Sequence, residues 1–184
     1  MPIPLKRPSL TWRSACGSYT VVVAPPCLDD MLRLARNQLP NEIGTSLVGH
    51  YSRDRFRAFV TGLAPLSADS RGTPTSFHRG TRGLKAFFRA LFQRFQGSRH
   101  YVGEWHSHPN GTAIPSGVDD RNQLAIAQDL QTDCPECILI VFAGDLLKAP
   151  ELGVYVYSRM RGKIILKGDR NPPLSLSTPP FQGV

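Results

Sequence analysis

The sequence predicts a single α/β domain built on a mixed sheet. Three observations carry that expectation. Short β-branched runs recur along the chain, three segments with apolar residues at helical spacing lie between them, and residues 42–65 read as a hairpin. The 184 residues are enough for one domain with a real core and too few for two of ordinary size.

Residues 1–17 form a basic, proline-rich arm. SYTVVVA (18–24) then reads as a buried strand, which Pro25-Pro26 ends. In LDDMLRLARNQL, Leu28, Met31, Leu32 and Ala35 stand at helical spacing. EIGTSLVGHYS (42–52) and FRAFVTGLAP (56–65) flank the charged turn Arg53-Asp54-Arg55 and predict an antiparallel hairpin. The polar stretch 66–80, broken by Gly and Pro, reads as a loop long enough to contact a substrate. Residues 82–96 give the clearest helix, with Leu84, Phe87, Phe88, Leu91, Phe92 and Phe95 on one stripe that is expected to be core.

HYVGEWHSH (100–108) reads as a strand, 109–115 as a loop, and Ser116 to about Leu130 as a helix. CILIVFA (137–143), GVYVYS (153–158) and KIILK (163–167) complete the sheet. The last 14 residues hold four prolines and read as an extended tail, so the domain is expected over 18–168 and the tail over 169–184. No internal repeat is visible.

Composition narrows the class. With 41% hydrophobic and 20% charged residues, the chain is that of a globular protein. No apolar run reaches the roughly 20 residues of a transmembrane helix, and the N-terminus lacks the apolar block of a secretory signal. A cytoplasmic protein with no membrane partner is expected. Cys16, Cys27, Cys134 and Cys137 are too irregularly placed for a disulfide framework and are expected as thiols. The net charge of +8 and pI near 9.7 favour an acidic partner. Basic and aromatic residues do not interleave as in single-strand binders, so nucleic acid is not the expected partner.

Side chains alternate across a strand, so His106 and His108 share a face while Trp105 and Ser107 take the other. Alone, a His-x-His pair is more often structural than metal-binding. Asp119 follows His108 after ten intervening residues, and Ser116-x-x-Asp119 has the pattern of a capping box, its simplest reading in isolation. Taken together, a strand ending at His108, a short loop and a helix starting near Ser116 can return Asp119 to the strand end. Two nitrogens and one oxygen are the ligand set of a catalytic zinc site with its fourth position open.

HSHP followed by PSGVD resembles the H-[ST]-H-P-x6-S-x2-D signature of the JAMM (JAB1/MPN+/Mov34) zinc metalloprotease family. EIGTSLVG, with Glu42, Gly44, Leu47 and Gly49, resembles the family's E-x-G-x-x-L-x-G segment on an earlier strand. The resemblance spans roughly residues 18–168 and leaves the tails and the 66–80 loop outside. It implies the cytidine-deaminase-like (JAB/MPN) three-layer α/β sandwich with a mixed, curved sheet. It also implies one zinc ion per chain on His106, His108 and Asp119, lowering the pKa of bound water toward about 7. Glu42 then looks like the general base, and Ser116 like the hydroxyl that stabilises the oxyanion.

Glu104 shares the histidine face and is a weaker candidate for orienting a ligand ring. His50, His78 and His100 have no spacing that ties them to the site. Cys134-Pro-Glu-Cys137 resembles a redox or zinc half-site, but a strand follows it and no second pair is suitably spaced.

What the resemblance implies about activity is hydrolysis after the C-terminus of a ubiquitin-like protein, either deconjugation of an isopeptide or processing of a precursor. GEWHSHP is similar to the phrase in stand-alone bacterial JAB proteins encoded beside E1-like and E2-like enzymes in antiphage systems, including cyclic-nucleotide operons with a nucleotidyltransferase. The rival readings are a sulfur-carrier-processing hydrolase, a non-catalytic MPN scaffold, and a DNA-repair relative of the fold. With all five motif positions intact, the scaffold is disfavoured. HSHP and the missing helix-hairpin-helix region speak against the DNA-repair relative.

Overall fold

Pairing of the first strand with the last determines the architecture. The computed structural model describes residues 8–169. Along the chain run β1 (Leu10–Ser14), β2 (Thr20–Val23), α1 (Pro25–Gln38), β3 (Gly44–Tyr51), β4 (Arg57–Leu63), β5 (Arg71–Thr73), β6 (Ser76–His78), α2 (Leu84–Arg94), β7 (His100–Pro109), α3 (Gly117–Gln128), β8 (Glu136–Asp145), β9 (Ala149–Ser158) and β10 (Gly162–Gly168). The main sheet closes in the order β1-β10-β9-β8-β7-β3-β4-β2. β2 pairs with β4 and β7 with β8 in parallel, and the other ladders are antiparallel, which is the mixed α/β sheet expected.

Where a three-layer sandwich with a mixed, curved sheet was expected, the sheet closes into a barrel. Residues 10–14, assigned to the arm, are the strand that closes it. Trp12 pairs with Val21 on one side and Gly168 on the other, so both sheet edges are covered. The tail 170–184 and residues 1–7 lie outside the described residues.

Helices still cover both faces. Cys27, Leu28, Met31, Leu32 and Ala35 of α1 share one core with Val21, Val60, Trp105, Ile138, Ile140, Phe142 and Val154. Pro25 and Pro26 open α1, where a missing N–H costs no hydrogen bond. On the opposite face Ala127 of α3 packs with Cys137, Leu139, Val141, Tyr155 and Tyr157. Alternating residues of β8 thus feed two cores, which explains its unbroken apolar run.

A bulge changes the phase of β7. Leu47 lies opposite Gly103, but Val48 lies opposite Tyr101. Gly103 sits at φ +148°, and a Cβ there would stand 2.0 Å from the Ile138 carbonyl oxygen, so only glycine fits. As a result Val102 and Trp105, three apart, both enter the α1 core.

Two local expectations change. The 66–80 loop contains the two-stranded β5–β6 hairpin. The phenylalanine stripe of α2 is not a full core face: Leu84 is buried, Phe87, Phe88 and Leu91 are partly buried against Val48 and Ala64, and Phe92 is 58% exposed. The helix meets the sheet along one side only, and Arg99 stacks on the Phe95 ring at 4.3 Å rather than another helix covering it.

Candidate metal centre

β7 carries His106 and His108 to the sheet end where α3 begins. Their rings face each other with Nε2 atoms 2.9 Å apart. Asp119, in the first turn of α3, places Oδ1 3.6 Å from His106 Nε2 and Oδ2 3.7 Å from His108 Nε2. One donor atom from each residue lies within 4.8 Å of the others.

A capping box holds Asp119 in place. Ser116 Oγ accepts from the Asp119 N–H at 3.2 Å, and the Asp119 carboxylate accepts from the Ser116 N–H at 2.7 Å and its hydroxyl at 2.6 Å. The cap and ligand readings of the sequence are compatible, because the cap aims the carboxylate at the two histidines. Burial pushes the Asp119 carboxyl up, but hydrogen bonds from His106 and Ser116 outweigh it and hold the group well below the carboxylate range. It therefore stays an anion.

His108 Nδ1 lies 3.1 Å from the Thr112 carbonyl oxygen. Nδ1 must donate in that bond, which turns Nε2 toward His106 and Asp119. Tetrahedral zinc with nitrogen and oxygen ligands needs donors about 3.3–3.4 Å apart. The ring nitrogens stand closer than that, and each has a different Asp119 oxygen slightly beyond it, so small side-chain shifts bring one donor atom of each residue to zinc-ligand spacing.

Glu42 precedes β3 and is 8% exposed. It lines a cavity of about 430 Å³ with His108, Ser116 and Asp119. Burial raises its pKa, the His108 charge opposes the rise and the Asp119 charge adds to it, so Glu42 has the character of a proton acceptor. Gly44 of the same segment lies opposite His106, and a Cβ there would come within 2.2 Å of the Trp105 carbonyl oxygen. The glycine lets the two strands approach so closely.

Glu104 does not orient a ligand ring. The bulge puts it on the same face as Tyr101, whose hydroxyl donates to Glu104 Oε1 at 2.6 Å, and Arg79 forms an ion pair with it at 2.7 Å. His50 stacks on Phe59 and His100 on Tyr51, away from the centre. Cys134 and Cys137 are buried thiols; the Cys137 thiol donates to Gln123 Oε1 at 3.2 Å.

Sequence reasoning missed Phe77, His78 and Arg79. They line a second cavity of about 370 Å³ beside His106 and Asp119. The available signal was their position in the loop flagged for substrate contact.

Sheet topology and donor cluster together define an α/β domain with a candidate metal centre. The chain belongs to the prokaryotic homologs of the JAB domain, whose family profile matches residues 24–157. It is 34% identical over 158 residues to a protein of Enterobacter hormaechei subsp. hoffmannii named CD-NTase/cGAS isopeptidase, with 86% of each chain covered. A Desulfitobacterium hafniense protein solved in solution matches with a TM-score of 0.55 and 22% identity, over 79% of this chain and 88% of that one, a likeness of fold alone. No helix among the described residues is long and apolar enough to cross a membrane.

Proposed function

We propose that the chain is a zinc-dependent isopeptidase that hydrolyses bonds after the C-terminus of a ubiquitin-like protein in a bacterial antiphage system. The observation that carries this reading is the convergence of His106, His108 and Asp119, with Glu42 lining the same cavity.

His106 and His108 through Nε2, and Asp119 through a carboxylate oxygen, would hold the ion. Zinc bound there supplies Lewis acidity and makes water a nucleophile near neutral pH. Glu42 takes the proton of the attacking water and delivers it to the leaving amine, so the products are a carboxylate and a free amine. The Ser116 hydroxyl turns from Asp119 to the oxyanion of the tetrahedral intermediate, a contribution of a few kcal/mol.

The relative's name supports an isopeptide substrate over sulfur-carrier processing. By the same analogy, the conjugated target is a nucleotidyltransferase, with E1-like and E2-like enzymes making the conjugate. Metal analysis of the purified chain, together with cleavage of ubiquitin-like fusions and conjugates, tests the reading. One zinc per chain and loss of cleavage in Glu42→Ala are expected. A zinc-free protein whose Glu42→Ala variant cleaves as before overturns it.

A further inference from the structure

The β5–β6 hairpin is a two-stranded sheet of its own, separate from the barrel. Even so, it borders both cavities at the centre. Phe77 lines both; His78 and Arg79 line the one beside His106, and residues 74–76 line the one beside Glu42 and His108. The height of this hairpin therefore sets the space between Phe77 and the three donors.

Two attachments connect its strands to the barrel. The Glu42 N–H donates to the Thr73 carbonyl at 2.8 Å. On the other side the Arg79 guanidinium reaches β7 and β3, with Nη1 2.7 Å from Glu104 Oε1 and 3.0 Å from Ser46 Oγ. Asp69 and Ser70 tie only the base, through the N–H groups of residues 80–82. Glu104 is 5% exposed, and Tyr101 and Ser46 also hydrogen-bond to it, so its carboxylate is a fixed anchor rather than a mobile surface charge. Nη1 alone serves both carboxylate and hydroxyl, so the attachment converges on one end of the guanidinium.

We propose that Arg79 is a positioning residue, whose ion pair with Glu104 holds the β5–β6 hairpin over the centre at the height an extended substrate chain needs. Its part in turnover rests on the hydrolase reading above; its part in holding the hairpin does not.

Hydrogen exchange on the zinc-loaded full chain is the test, comparing the wild type with Arg79→Met, Arg79→Lys and Glu104→Gln. In Arg79→Met, amides of 71–78 should exchange about tenfold faster while α1 and β8 keep their protection, the signature of local opening. Glu104→Gln, which keeps the shape of the anchor, should loosen the same segment, and Arg79→Lys should fall between. Unchanged exchange in the hairpin overturns the proposal, and so does protection lost throughout the barrel.

On a fusion that the wild type cleaves, Arg79→Met should raise KM several-fold with kcat held within about twofold, as expected when uniform substrate binding is lost. Lower kcat at unchanged KM overturns the positioning role. A wild type that cleaves no fusion or conjugate defeats the hydrolase reading, and the exchange result still decides whether Arg79 holds the hairpin.

Discussion

Ser107, fully buried between the two histidines, clasps Ile43 twice. The Ile43 N–H donates to Ser107 Oγ at 3.1 Å, and the Ser107 N–H donates to the Ile43 carbonyl at 2.8 Å. Ile43 follows Glu42, so this clasp sets where the proposed base stands relative to the proposed ligands. Ser107→Ala leaves the Ile43 N–H buried without its partner, at a cost of about 1–3 kcal/mol. A lower melting temperature, an undiminished zinc content and a kcat reduced by about tenfold are expected, since slight misplacement of a base is costly. Ser107→Thr retains the oxygen and should restore both properties. Melting curves and initial rates on the same preparations check this.

Ser116 caps α3, and substitution can separate that cap from the oxyanion role proposed for it. Ser116→Ala removes the N-cap of α3 and should cost about 1 kcal/mol. Ser116→Asn keeps a capping oxygen but has no hydroxyl to offer an oxyanion. Thermal denaturation should show Asn restoring stability, while steady-state assays show no recovery of turnover. Recovery of both in Ser116→Asn would mean that the serine matters only as a cap.

Glu42 makes the stability of the metal-free chain respond to pH. Burial raises its folded pKa above the usual 4.5, with His108 opposing and Asp119 reinforcing. For folding, a raised pKa means that the contribution of this group is complete below its unfolded pKa and is lost as pH rises through the folded value. Metal-free Glu42→Gln should therefore melt higher than the metal-free wild type at pH 7.5, with the difference vanishing near pH 4, yet be inactive when zinc is restored. Calorimetry at the two pH values provides the comparison.

What could be read from the sequence was what short-range pattern encodes. Alternation put His106 and His108 on one face, and the Ser116-x-x-Asp119 spacing marked both the start of α3 and the residue that returns to them. Features that depend on distant partners were hidden. Residues 10–14 carry no local strand signal because their partners lie in β2 and β10, the latter some 150 residues away. The stripe on α2 announced an apolar face but not how much sheet would meet it, and Phe92 remained outside. Glu104 seemed placed for the histidines by strict alternation. It does share their face, but the bulge at Gly103 brings Tyr101 to that face as well, and Tyr101 and Arg79, from a loop 25 residues earlier, take its carboxylate.

The closing strand can be followed through Cys16. The thiol sits exposed in the β1–β2 turn, with Sγ 3.4 Å from Ser14 Oγ and 3.3 Å from Ser18 Oγ. Hydrogen bonds from Ser14, then Ser18, lower its pKa to about 7, whereas burial raises that of Cys27 to about 11. Near neutral pH Cys16 thus carries far more thiolate, the reactive form, than an ordinary cysteine. Iodoacetamide should therefore modify Cys16 well before the buried Cys27, Cys134 and Cys137, at a rate that rises through pH 7 and levels off by about pH 8. Ser14 Oγ also accepts the Tyr19 N–H at 3.0 Å, so the groups that activate the thiol are those that form the turn. Ser14→Ala should move the alkylation profile toward higher pH and lower the melting temperature together. Peptide mapping that finds the buried cysteines labelled as fast as Cys16 would show that β1 does not close the barrel in solution.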